Sequence, residues 1–78
     1  MRYTTVIWEP PMTAEQRSAC DAKIAELKAQ GIESVINFVD EGSRQVAIRS
    51  WPDLASAEEW CAFALGVGCS SASVDPES

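Results

Sequence analysis

The order of apolar and polar positions along the chain predicts four strands and two helices. Residues 2–8 are rich in β-branched and aromatic side chains and stop before Pro10-Pro11, which predicts a first strand. Residues 32–40 and 44–51 alternate loosely between apolar and polar types, which predicts a second and a third strand. Residues 71–74 predict a short fourth strand. With a helix after the first strand and another after the third, the predicted order is β-α-β-β-α-β.

The first helix has a start signal, a periodic apolar stripe and a stop signal. Residues 13–16, Thr-Ala-Glu-Gln, form a capping-box pattern that opens a helix. Apolar side chains then recur at i, i+4 and i+7, at Cys20, Ile24 and Leu27. Gly31 occupies the place of the left-handed residue that follows a helix.

The second helix is predicted to begin at Asp53 or at Ser56, because both residues are good N-caps. It runs to about Leu65 and ends at Gly66-Val67-Gly68. From Trp60 onward it is almost wholly apolar. A helix that is apolar all round is covered on more than one side, so we expect this one to be buried from two directions.

The second and third strands are predicted to form a hairpin through the three-residue loop Glu41-Gly42-Ser43. In that register Phe38 faces Val46 and Ile36 faces Ile48, which creates one apolar side. The other side then carries Val35, Asn37, Val39, Gln45, Ala47 and Arg49. We expect this mixed side to point away from the helices.

These elements predict an α+β fold: a single ferredoxin-like βαββαβ sandwich over residues 1–78, with a four-stranded antiparallel sheet and two helices on one face. Its strands lie in the order 4-1-3-2. Trp8 closes the first strand and Trp51 closes the third, so the two should lie at opposite ends of the sheet. The tryptophans are therefore not expected to form one aromatic cage.

Composition excludes several classes of function. The net charge of the 78 residues is −6 and the six basic residues are scattered, which argues against a nucleic-acid partner. Since no apolar run approaches the roughly 18 residues of a membrane span, we expect no membrane association and a cytoplasmic location. There is no histidine, and the cysteines, Cys20, Cys61 and Cys69, form no CxxC pair. We therefore expect free thiols, no metal, no cofactor and no catalytic histidine, which argues against an enzyme.

The usual chemistries of this topology also lack their residues. The loop after the first strand, residues 9–12, has neither the thiols of a copper chaperone nor the arginine of an acylphosphatase. RNA-binding modules need aromatic and basic side chains together on the central strands, and Tyr3 alone does not meet that need. A short chain without disulfides or metal can compensate by self-association, which favours a homodimer.

The segment Ile48-Arg49-Ser50-Trp51-Pro52-Asp53-Leu54-Ala55-Ser56-Ala57-Glu58-Glu59-Trp60 resembles the antibiotic-biosynthesis-monooxygenase-like, dimeric α+β barrel families. The correspondence lies in Trp51 at the strand end and Ala57 in the following helix. Trp60 stands near the place where such families often have a histidine, so oxygenase or haem-degrading activity is not implied. The resemblance does imply dimerisation through the open face of the sheet.

The leading hypothesis is a small non-catalytic protein that forms a homodimer through its open sheet face. Candidate interface residues are Val35, Val39, Ala47, Trp60 and Phe63. An alternative is a small-molecule-binding or monooxygenase-like barrel enzyme, for which the candidate ligand-binding residues are Asn37, Arg49 and Trp51. A third hypothesis is a subunit or regulator that docks onto another protein through the second helix.

Overall fold

The computed structural model describes residues 1–9, 13–41 and 45–77. Its elements are, in chain order, β1 (Tyr3–Glu9), α1 (Ala14–Ala29), β2 (Val35–Glu41), β3 (Gln45–Trp51), α2 (Leu54–Val67) and β4 (Ser71–Pro76). The strands pair antiparallel in one sheet of order β2-β3-β1-β4. This is the predicted order 4-1-3-2 read from the opposite edge, so the α+β class and its topology are confirmed. Pro10-Pro11, Gly42 and Ser43, on which two predicted turns depend, lie outside the described residues.

The predicted signals at the start and end of α1 are confirmed. The Thr13 hydroxyl accepts a hydrogen bond from the Gln16 backbone N–H at 3.1 Å, and the Gln16 side chain accepts one from the Thr13 N–H at 3.0 Å. These two bonds are the reciprocal capping box, and neither involves a charged group. After the helix, Gly31 adopts φ +84°, a conformation that glycine reaches without steric cost.

Of the two predicted starts of α2, the structure contains the one at Asp53. The Asp53 carboxylate accepts hydrogen bonds from the Ser56 N–H at 2.8 Å and from the Ser56 hydroxyl at 2.7 Å. Ser56 therefore serves as the partner of the cap rather than as the cap itself. At the other end the helix stops at Gly68, which adopts φ +118°.

The two helices pack on one face of the sheet, which we call the covered face. On β1 and β3 it carries Thr5 opposite Arg49, Ile7 opposite Ala47 and Tyr3 opposite Trp51. The sheet residues of the main hydrophobic cluster, Ile7 and Trp51, belong to this face, and the helices add Leu27 from α1 and Ala57, Trp60 and Ala64 from α2. The opposite side, which we call the open face, carries Val6, Trp8, Val46 and Ile48 on the same two strands.

The prediction of which face the helices cover was wrong. Ala47, Arg49 and Val39 were expected on the side away from the helices, and the structure places them on the covered face. Both faces of β3 carry apolar side chains, so hydrophobicity alone does not separate them. The large indole of Trp51 explains which face of β3 is covered. It is 0 % exposed and occupies interior volume beneath α2.

The predicted register of the hairpin was also wrong. Phe38 pairs with Ile48 rather than with Val46, and Ile36 pairs with Arg49 rather than with Ile48. The shift between these two pairs is a β-bulge at Asn37, which turns Ile36 to the covered face. The side chain of Phe38 lies outside the described part of the structure.

The two helices cover the sheet unequally. α2 packs against β1, β3 and β4 through the small side chains of Ala57 and Ala64, both fully buried. The backbone of α1 lies closer to α2 than to the strands, and α1 reaches the core through the fully buried Leu27. Its Lys23 Nζ lies 3.0 Å from the Glu59 carboxylate and 5.6 Å from the centre of the Phe63 ring. α2 is thus covered by the sheet on one side and by α1 on another, which confirms the expectation drawn from its composition.

Trp8 and Trp51 lie at opposite ends of the sheet, as predicted, since Trp8 pairs with Val46 and Trp51 with Tyr3. They also lie on opposite faces. Trp51 instead meets Trp60, with ring centres 5.9 Å apart, and donates its indole N–H to the Thr5 hydroxyl at 3.0 Å. Two of the three tryptophans therefore form part of the core. No helix in the described part of the chain is long and apolar enough to cross a bilayer.

Candidate functional site

A cleft of about 130 Å³ lies between α1 and the β2–β3 side of the covered face. We call it the Arg49 cleft. Its uncharged lining consists of Ile7, Cys20, Ile24, Ile36, Val39, Ala47 and Trp60. The cleft exists because α1 lies close to α2 and leaves part of β2 uncovered. Ile36 and Val39 point to the covered face, yet they are 46 % and 44 % exposed.

Arg49 places a positive charge inside this uncharged lining. Its Nη1 donates a hydrogen bond to the Ser34 hydroxyl at 2.9 Å, and its guanidinium carbon lies 6.0 Å from the centre of the Trp60 ring. Burial lowers the pKa of Arg49, although an arginine stays charged at neutral pH. None of the described carboxylates lies within the 4.0 Å of an ion pair with it. The guanidinium therefore has unused donors and a partly removed hydration shell.

The α1 residues that line the cleft include one positive and one negative side chain. Arg17 and Asp21, one helical turn apart, line the cleft and are exposed at its mouth. Asp21 is the carboxylate whose charge acts on Arg49 and opposes the lowering of the Arg49 pKa. The Asp21 carboxylate and the half-buried Arg49 guanidinium thus line the same cleft without forming an ion pair.

Trp60 contributes a buried polar atom with no partner. The side chain is 6 % exposed, and no described group accepts the hydrogen bond that its indole N–H could donate. Trp51, by contrast, has its N–H bonded to Thr5. A buried donor without an acceptor costs stability. The indole N–H of Trp60, beside the cleft, therefore contributes less to stability than the hydrogen-bonded N–H of Trp51.

Of the three predicted ligand-binding residues, only Arg49 lines the cleft. Asn37 is exposed at the bulge of β2, and Trp51 is enclosed in the core. The expected pairing of Asn37 with Arg49 depended on both lying on one face. The bulge and the corrected face remove that pairing, because Asn37 is outside the cleft lining.

Four of the five predicted interface residues lie together, and Val35 lies apart from them on the open face. Val35 is exposed on β2, opposite Ser50. Val39, Ala47 and Trp60 line the Arg49 cleft, while Phe63 is half-buried and stacked on Trp60 with ring centres 6.2 Å apart. The five residues together do not form one surface.

None of the three cysteines forms a disulfide within the described residues. Burial raises the pKa of the Cys61 thiol, with a smaller contribution from the charge of Glu58, and its sulfur donates to the Ser73 carbonyl at 3.8 Å. A thiol held protonated in this way is a poor nucleophile. The described residues contain no group of three or more potential metal ligands.

Ser34 and Asp21 are the site residues that the sequence did not reveal. A signal for Asp21 exists, since Arg17, Asp21 and Ile24 share the helical stripe of the apolar positions. Charged side chains within an apolar stripe indicate a cleft or an interface rather than a sealed core. Ser34 belongs to the segment between α1 and β2 and has no comparable signal.

Comparison with protein-family models, with curated proteins and with solved structures found no match to this chain. The resemblance of residues 48–60 to the monooxygenase-like families therefore stays a prediction. The function has to be argued from the geometry of the chain itself.

Proposed function

We propose that this protein binds a small organic anion in the Arg49 cleft. The observation that carries the proposal is the half-buried guanidinium of Arg49, which donates a hydrogen bond to a serine hydroxyl and forms no ion pair with a carboxylate among the described residues. Taking a charge out of water costs free energy unless an opposite charge compensates it. A bound carboxylate would supply that compensation and use the free donors of the guanidinium fork.

The size and lining of the cleft define the rest of the ligand. A cavity of about 150 Å³ lined by aliphatic and aromatic side chains holds benzene, so the 130 Å³ cleft suits one ring or a short branched chain. Aliphatic side chains from α1, β1, β2 and β3 surround that volume. The proposed ligand therefore has a compact apolar body and one carboxylate. Because the charged groups that line the cleft, Arg17, Asp21 and Arg49, are suited to holding a charged ligand, the proposed role is binding rather than catalysis.

Thermal unfolding with paired ligands tests this function. Benzoate and 3-methylbutanoate carry the carboxylate, and benzamide and 3-methylbutanamide replace it with a neutral group of the same shape. A ligand present at ten times its Kd stabilises the folded state by about 1.4 kcal/mol, which is roughly 6–11 °C in a domain of this size. We expect such a shift with at least one of the acids and none with its amide.

Variants assign the effect to the cleft. Arg49→Gln should abolish the shift, whereas Lys28→Gln, which removes an exposed positive charge outside the lining, should keep it. The proposal fails if acids and amides shift the melting temperature equally, or if Arg49→Gln leaves the shift unchanged.

A second candidate function, self-association through the open face, is favoured by Trp8. This side chain is 42 % exposed on the open face, opposite the buried Val46 and near the half-buried Val6 and Ile48. A sheet face with an exposed tryptophan can bury that area against a second copy. The third hypothesis, docking through α2, stays a prediction: the sheet and α1 cover Ala57, Trp60 and Ala64, whereas Leu54 and Leu65 on the same helix are 43 % and 49 % exposed.

Sedimentation velocity tests the dimer with two matched variants. Leu54 on α2 is 43 % exposed, nearly the same as Trp8. We expect wild type and Leu54→Lys to sediment as dimers at tens of micromolar, and Trp8→Lys to sediment as a folded monomer by circular dichroism. A wild-type monomer at that concentration contradicts this second candidate and leaves the ligand proposal standing.

A further inference from the structure

The Arg49 cleft presents two opposite charges, which narrows the class of ligand further. Arg49 supplies a half-buried positive charge on β3, and Asp21 supplies an exposed negative charge on α1. Both line the same cleft, and no ion pair joins them, since their charged atoms are more than 4.0 Å apart. Asp21 has no ion pair with any other described residue either.

From this juxtaposition we infer that the ligand is a zwitterion, an α-amino acid with a short branched or single-ring apolar side chain. Its carboxylate would lie against the Arg49 guanidinium and its ammonium group against the Asp21 carboxylate. Its side chain would occupy the apolar lining formed by Ile24, Ile36 and Val39. The inference rests on the proposed anion site and adds a second charged contact to it.

The electrostatics of the α1 side of the cleft support the second contact. A carboxylate ligand without an amine brings a negative charge toward Asp21 when it reaches Arg49, and this repulsion weakens its binding. Adding an ammonium group reverses the sign of that interaction. Arg17, the other charge lining the cleft, is exposed at the mouth and carries the same sign as the ammonium, so Asp21 is the group on α1 that can pair with it.

Three ligands that share one branched body separate the two contacts. L-Valine carries both charges, 3-methylbutanoate lacks the amine, and 2-methylpropylamine lacks the carboxylate. In titration calorimetry of the full chain at pH 7, we expect valine to bind about fivefold more tightly than 3-methylbutanoate. We expect no measurable binding of the amine alone, because it leaves Arg49 uncompensated.

Two charge-removing variants complete the experiment. Asp21→Asn should lower the affinity for valine to that for 3-methylbutanoate, while Arg49→Gln should abolish binding of both. Glu15→Gln, which neutralises an exposed acid on α1 outside the cleft lining, should change neither.

The outcomes distinguish the inference from the function on which it rests. If 3-methylbutanoate binds through Arg49 and valine binds no better, the zwitterion is wrong and the anion site survives. If Asp21→Asn weakens both ligands equally, Asp21 acts on the fold rather than on the amine, and the inference is again wrong. If neither ligand binds wild type, both proposals fall.

Discussion

The covered face of the sheet differs sharply between its β1 side and its β2 side. On β1, Thr5 and Ile7 are 0 % and 1 % exposed, whereas on β2 the inward-pointing Ile36 and Val39 keep nearly half of their surface in water. This difference in exposure follows from the positions of the helices, because the backbone of α2 lies close to the sheet whereas the backbone of α1 lies close to α2. One side of the domain is thus built for stability, and the other keeps a charged group and a cavity that stability alone does not require.

The largest test of this contrast removes one apolar side chain from each side. Ile7→Ala on β1 should cost about 2–5 kcal/mol because it empties an enclosed site, whereas Val39→Ala on β2 should cost less than about 1 kcal/mol. Urea unfolding followed by circular dichroism measures both. Comparable losses in the two variants would mean that the β2 side is as tightly packed as the β1 side.

A smaller difference in stability is expected between substitutions of Trp51 and Trp60, whose indoles are in contact in the core. Trp51→Phe removes a hydrogen bond to Thr5, and Trp60→Phe removes a buried N–H that has no described partner. The volume lost is the same, so the first variant should be less stable than the second by about 1–2 kcal/mol. Equal stabilities in urea would show that the Trp60 N–H is satisfied in solution.

Replacing Arg49 should stabilise the fold while it removes the proposed binding. Arg49→Met exchanges a partly desolvated, uncompensated charge for an apolar side chain, and we expect a gain of about 1 kcal/mol. Arg2→Met is the matched control on the open face. There the Arg2 guanidinium donates to the Ser50 hydroxyl at 2.8 Å and to the Ser50 carbonyl at 3.2 Å, so its loss should destabilise. The same sign for both variants would refute the idea that Arg49 is kept at a cost.

The smallest effect concerns the caps of the two helices. The hydroxyl and the backbone N–H of Ser56 lower the pKa of Asp53, so the folded state holds the carboxylate ionised. This contribution to stability is fully present above the ordinary pKa of about 3.9 and is lost as the pH falls through the lower folded value. The α1 cap, made by Thr13 and Gln16, does not titrate.

Asp53→Asn isolates that titration. Asparagine is as good an N-cap as aspartate, so at pH 7 its melting temperature should match wild type, while Asp53→Ala should melt roughly 4–8 °C lower. Between pH 4 and pH 2 wild type should lose stability faster than Asp53→Asn. Parallel pH profiles for these two proteins would contradict the role given to the cap.

The features that could be predicted from the sequence are the local ones. The capping box at Thr13, the cap at Asp53 and the glycine ends of both helices each depend on a few neighbouring residues. The face assignment failed because it depends on volume, which a count of apolar positions along β3 does not contain. The bulge at Asn37 failed for a related reason, since nothing in residues 35–39 distinguishes a bulged strand from a regular one.

The candidate site was predicted only through Arg49. Arg49 was selected as a candidate because it is a charged residue on a strand. The shape of the cleft around it depends on the distance between α1 and β2, which neither segment's sequence predicts. Asn37 and Trp51 were placed beside it by an alternation that the real register breaks.

The bulge at Asn37 also protects the edge of the sheet against aggregation. β2 is an edge strand with exposed Val35, Ile36 and Val39, and such an edge is a ready template for another strand. A bulge twists the edge and breaks the regular spacing of its outward N–H and C=O groups. An incoming strand can then pair over only a short stretch. A regular β2 would offer an uninterrupted aliphatic edge for the growth of intermolecular sheets.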